Sequence, residues 1–168
     1  LLNDVPSVAC FGESHFVDRL LLPVLGTVRD YNGMMELVAE RVYEGNGYYA
    51  TIRDEELLAV MRAWLLAIFQ RSAGDRWSEI LAVGDKTPAH SFHMAILKSL
   101  FPETRFVHML RDGRDVVVSA YHHRARILKN LGHEKQLQPL LQEAPVLFLK
   151  WKQFTQAVLD HEKHGCSV

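Results

Sequence analysis

The sequence predicts an α/β fold, a three-layer arrangement in which helices cover both faces of a mostly parallel sheet. Short apolar runs alternate with longer stretches of helical periodicity along the chain. The runs that begin near residues 79 and 105 are apolar on both faces, as strands sandwiched between helices must be. Each of those runs turns abruptly polar at a glycine-containing loop, Gly84-Asp85-Lys86 and Arg111-Asp112-Gly113. Sites in such sheets lie over the carboxyl ends of the strands, so these loops are where function is expected.

Composition narrows the classes. The 168 residues suffice for one domain with a real core. Lys and Arg number 19 against 20 Asp and Glu, a formal net charge of −1. That balance argues against a nucleic-acid footprint and against a polybasic membrane patch. No apolar run has the length of a membrane span, and no signal peptide is evident. Cys10 and Cys166, both in apolar surroundings, read as reduced strand residues. From a bacterium, such a chain is expected in the cytoplasm.

Taken in order, Leu1 to Pro6 looks like a last helical turn followed by a stop. Ser7 to Phe11 is a short strand that runs into Gly12-Glu13-Ser14-His15. Glu13 either caps the following helix or, at the end of a strand, serves chemistry. That helix carries Leu20, Leu21 and Leu25, with Pro23 bending or breaking it. Asp30 to Glu44 reads as a further helix, and Asn46 to Thr51 as a loop whose Tyr48 and Tyr49 line a cleft or pack locally. Asp54 to Arg71 is the clearest helix, with acids in its first turn and Trp64 expected in the core. Gly74 ends it.

Glu79 to Val83 is the next strand, and Pro88 suits the first position of a helix from Ala89 to Phe101. Lys86 therefore sits on a loop at a strand's carboxyl end. His90 and His93, one helical turn apart, lack a third ligand at a suggestive spacing, so a metal is not expected.

Phe106 to Leu110 has the length of a buried strand. Asp112 is a fair N-cap, Gly113 allows a tight turn, and Val116, Val117, Ala120 and Tyr121 form one helical face. Free helix N–H groups at such a junction attract anions. Arg111 offers a planar fork that matches a phosphate, and Ser119, eight residues on, adds a hydroxyl. The alternative pairs Arg111 with Asp112 or Asp115. Leu131 to Glu143 reads as a polar insertion, Pro145 to His164 as a long helix stopped by Gly165, and Cys166 to Val168 as the start of a strand.

Gly84-Asp85-Lys86-Thr87-Pro88, Leu100 to Phe106, Arg111-Asp112-Gly113-Arg114 and Ser119 together resemble the PAPS-dependent sulfotransferases, PAPS being 3′-phosphoadenosine 5′-phosphosulfate. The segment Val8 to Phe16 is similar to one in tyrosylprotein sulfotransferases and some carbohydrate sulfotransferases. The resemblance implies the P-loop, nucleotide-kinase-like sulfotransferase fold. It implies that Arg111 and Ser119 hold the 3′-phosphate, that Lys86 stabilises the transferring group and that Glu13 is the general base. The implied cofactor is PAPS as sulfuryl donor, without a metal. The implied partner is a hydroxyl-bearing acceptor: a peptide tyrosine, a carbohydrate or a small molecule.

The chain departs from the pattern in places. His15 stands where the tyrosylprotein enzymes carry an arginine, and His123 where they carry a second phosphate-binding arginine. The family's loop for the 5′-phosphosulfate, a basic residue followed by Ser-Gly-Thr-Thr, is not found. Residues 1–168 are thus expected to be a single sulfotransferase domain truncated at both ends. Two alternatives stand beside this reading: a small-molecule kinase on the same fold, and a non-catalytic nucleotide-binding protein.

Overall fold

A computed structural model describes residues 4–46 and 49–163. The chain forms two compact units, Leu1–Thr104 and Arg105–Val168.

The first unit is built on two strands, β1 (Val8–Phe11) and β2 (Ala82–Asp85). They pair in parallel, with Val8 opposite Ala82 and Phe11 opposite Asp85. Parallel pairing needs a long crossover, and here it is helical. A π-helical turn (Val17–Leu21) runs directly into α1 (Leu22–Val42), and α2 (Asp54–Ala73) follows. Pro23 does not break α1. The Leu22 N–H bonds to the Val17 carbonyl in a widened turn just ahead of it. Asn32 pins the connection to α2 by bonding both backbone groups of Ile52, at 2.7 and 2.9 Å.

α2 starts with Asp54, Glu55 and Glu56 at its positive end and stops at Gly74, whose φ of 59° favours glycine. Its buried stripe is Leu57, Met61, Leu65 and Phe69. Phe69 stacks on Phe11 of β1 at 5.8 Å and meets the edge of Phe16 at 6.4 Å. α3 (Met94–Leu100) packs against α2 through Met94, Leu97 and Leu100. Val17 and Leu21 are fully buried and complete this core. Truncating Leu65 or Leu100 to Ala should cost about 2–5 kcal/mol, because the cavity collapses only partly.

The second unit pairs α4 (Gly113–Asn130) with α5 (Leu140–Lys163). Val117 and Val158 are buried in it. Gly113 lies so close to α5 that a Cβ there would come within 2.9 Å of the rings of Phe148 and Trp151. Buried Glu143 accepts a hydrogen bond from Arg124 at 2.7 Å, which ties the two helices.

Several expectations need correction. The described residues are mostly helical with a two-stranded sheet, not a broad three-layer sheet. Residues 106–110 form no strand among the described residues, and Val107, Met109 and Leu110 are exposed. An apolar run becomes a strand only where a neighbour satisfies its backbone groups. Trp64 is 47% exposed, since the buried stripe recurs every four residues and Trp64 falls on its flank. The helix expected from Ala89 to Phe101 is a 3-10 turn (Pro88–Phe92) and then α3, with a break at His93. Helix α5 begins at Leu140, ahead of Pro145, because the Pro139 carbonyl accepts from Gln142 and Glu143. Tyr48 and the segment from His164 to Val168 lie outside the described residues.

Candidate active site

Because β1 and β2 run the same way, their carboxyl ends emerge side by side. Glu13 follows β1 by two residues and Lys86 follows β2 directly. The Lys86 Nζ lies 3.7 Å from Glu13 Oε1. Both side chains are open to solvent, 73% and 48% exposed. An exposed pair of this kind contributes little to stability, so an incoming group can separate it at little cost.

Glu13 does not cap the helix that follows. No side chain caps that π-helical turn, and the Arg19 N–H bonds to the His15 carbonyl instead. The carboxylate faces Lys86 and the Nε2 of His15, also 3.7 Å away. His15 Nδ1 is in turn 3.2 Å from Asp18. Burial opposes ionisation of Asp18, but the hydrogen bond with His15 and its own backbone hold its carboxyl below the ordinary value. His15 has φ 51°, a left-handed conformation uncommon for a non-glycine residue.

Beneath this pair lies a polar network that the sequence did not single out. Asp85 ends β2, and its side chain is 8% exposed. It accepts hydrogen bonds from Ser14 Oγ and from Thr87 Oγ1, the latter at 2.6 Å. Thr87 Oγ1 accepts from the backbone N–H of Ser14 at 3.1 Å and of His15 at 3.5 Å. His90 Nε2 lies 3.4 Å from Asp85, and its ring packs on Phe16 at 5.0 Å. At that separation the imidazole attracts the carboxylate without an aligned hydrogen bond. Burial pushes the Asp85 carboxyl up, but His90, Ser14 and Thr87 together hold it below its ordinary value. The sequence signal for this network is an acid and a hydroxyl two residues apart at a strand end, on either side of Lys86.

In the second unit, Asp112 caps α4 by accepting from the Arg114 N–H at 2.9 Å. It also takes both Arg114 guanidinium contacts, at 3.0 and 2.6 Å. Those contacts from Arg114 hold the Asp112 carboxyl down at about 2. So Arg114, not Arg111, neutralises this acid. Arg111 is exposed and has no ion-pair partner among the described residues, and Ser119 is exposed on α4. A cavity of about 230 Å³ behind β1, lined by Cys10, Phe11, Ser72 and Arg76 among others, contains neither Glu13 nor Lys86. The described residues hold no cluster of three or more His, Cys, Asp or Glu that could bind a metal. No described helix is long and apolar enough to cross a membrane.

A parallel strand pair thus carries a carboxylate and an ammonium side by side at its carboxyl edge, in a chain of the α/β class. The family is given by comparison with known proteins: the chain matches the sulfotransferase family over residues 1–164 and belongs to it. No curated protein and no solved structure matches the chain.

Proposed function

We propose that the full-length protein to which these 168 residues belong moves a sulfuryl group from PAPS to an acceptor hydroxyl, within one sulfotransferase domain that spans both units, and that the 168 residues alone are inactive. The observation that carries the reading is the Lys86–Glu13 pair, 3.7 Å apart at the ends of two paired parallel strands. Family membership supports the reaction class. In the reaction the acceptor oxygen bonds to sulfur while the bond from sulfur to the 5′-phosphate oxygen breaks. Glu13 takes the hydroxyl proton, and Lys86 offsets negative charge on the transferring group. PAPS supplies the activated sulfuryl group and leaves as adenosine 3′,5′-bisphosphate.

Arg111 and Ser119 are assigned to the 3′-phosphate. The fit is chemical: an exposed guanidinium with no ion-pair partner among the described residues, and a hydroxyl on the helix that follows it. A carboxylate neighbour on Arg111 would have spoiled the site, and Arg114 occupies the nearest one.

The test is a transfer assay on the full-length protein, with labelled PAPS and phenolic, carbohydrate and small-molecule acceptors. Glu13→Gln and Lys86→Met are assayed alongside. Transfer that both substitutions slow supports the reading. ATP serving as donor where PAPS fails, or wild-type turnover in both variants, overturns it.

A further inference from the structure

We propose that Asp85 and Thr87 are positioning residues, a buried clamp that fixes Glu13 and Lys86 against each other for transfer. The proposal rests on the roles given above to Glu13 and Lys86. The loop after β1 and the loop after β2 are 71 to 73 residues apart in sequence where they are stitched together. The side-chain hydrogen bonds between them run through Asp85 and Thr87, and the Lys86 N–H also bonds to the Phe11 carbonyl at 3.4 Å. Ser14, next to Glu13, gives its hydroxyl to Asp85 and its backbone N–H to Thr87. Lys86 lies between the two clamp residues, so its backbone is held on both sides.

The hydroxyl of Thr87 is used to capacity. It has one donor and two acceptor sites, and it donates to Asp85 while accepting from Ser14 and His15. Thr87 is 7% exposed, so water does not replace a lost partner there. The His15 N–H that it receives belongs to the residue in the left-handed conformation. The backbone strain of that turn is thus held from the other strand's loop. Strain that is held from a distance marks a place where geometry matters beyond packing. Glu13 and Lys86 themselves are mostly open to solvent, and their own contact is too weak to fix them.

The experiment uses the full-length protein, four single substitutions and a double variant built on Glu13→Gln. Thr87→Val keeps size and burial but removes both the donor and the acceptors. It should lower kcat about 10- to 100-fold, as a displacement of roughly 1 Å does, while bisphosphate affinity measured by calorimetry stays within about twofold. Thr87→Ser keeps the hydroxyl and should restore kcat to within about threefold of wild type. Once the base is gone, the clamp has only Lys86 left to position. Adding Thr87→Val to Glu13→Gln should therefore slow the enzyme clearly less than Thr87→Val slows the wild type. Ser14→Ala, which removes one exposed donor, repeats the comparison should Thr87→Val be too unstable to assay. Wild-type turnover in Thr87→Val and Ser14→Ala beside a slow Glu13→Gln overturns the clamp and leaves the function intact. Full additivity in the double variant also overturns it. Wild-type turnover in Glu13→Gln overturns the assigned base and the clamp together.

Discussion

The two candidate regions are held in opposite ways. At the ends of β1 and β2, exposed Glu13 and Lys86 sit beside a partly buried network that joins residues far apart in sequence. At the start of α4, the scaffold is local: Asp112 caps the helix two residues away and Gly113 packs on α5. Arg111 and Ser119 are exposed there, and Arg111 has no ion-pair partner among the described residues. The difference fits the work assigned to each. Proton transfer tolerates little displacement, so long-range ties are useful there. A charged fork on an exposed segment can meet a phosphate and let its own geometry settle on contact.

The largest expected effect comes from breaking the tightly held region. Glu13→Gln in the full-length protein should reduce kcat by about 10²–10⁴, the usual worth of general-base assistance. Bisphosphate affinity and the melting temperature should barely move, because Glu13 is no cap. Turnover and melting on one preparation check this, and wild-type turnover would remove Glu13 from the mechanism.

The loosely held region should respond in binding. Arg111→Ala should cost roughly 1.5–3 kcal/mol in affinity for adenosine 3′,5′-bisphosphate, as for a charge-assisted hydrogen bond, and little for AMP. Calorimetry with the two ligands decides it. An equal loss for both would show that Arg111 does not read the 3′-phosphate.

Gly113→Ala sharpens the comparison on the scaffold side. The new methyl group meets ring carbons of Phe148 and Trp151 at 2.9 Å, so either α4 or the two rings must shift. Overpacking of this kind costs about 1–3 kcal/mol, against at most about 1 kcal/mol gained in helix propensity. A lower melting temperature is expected. A rise would mean that α5 yields freely.

The smallest effect is a pH dependence. The Asp112 carboxyl falls from its ordinary 3.8 to about 2 in the folded chain. Its stabilisation is therefore present above pH 3.8 and is lost as pH falls toward about 2. Asp85 is depressed as well, so it adds a loss in the same direction. Asp112→Asn keeps a capping oxygen and removes the charge, so it should lower the melting temperature at neutral pH and meet the wild type near pH 2, flattening the acid limb. An unaltered acid limb would assign it to other carboxylates.

Much of this was legible in sequence because it is local. β1, the stop of α2 at Gly74, the Asp112 cap and the placing of Glu13 and Lys86 at strand ends follow from short-range patterns. What depends on distant neighbours was not legible. Residues 106–110 have strand composition but no described partner. Gly113 was read as a turn residue, whereas it is helical and small because two rings of α5 approach it. The hydroxyls of Ser14 and Thr87 gain meaning only when Asp85 is brought between them.

The parallel register has a further consequence for how this chain can change. Each added strand residue advances the loop beyond it by about 3.3 Å and turns the next side chain to the other face. β1 and β2 are four residues each and end level, Phe11 against Asp85. Lengthening one alone would carry Glu13 away from Lys86, and only a matched insertion in the other would bring them back. Between α1 and α2 no strand register applies, and Asn32 pins the connection only near its end, at Ile52. Natural length variation should gather there, while the two short strands keep a common count.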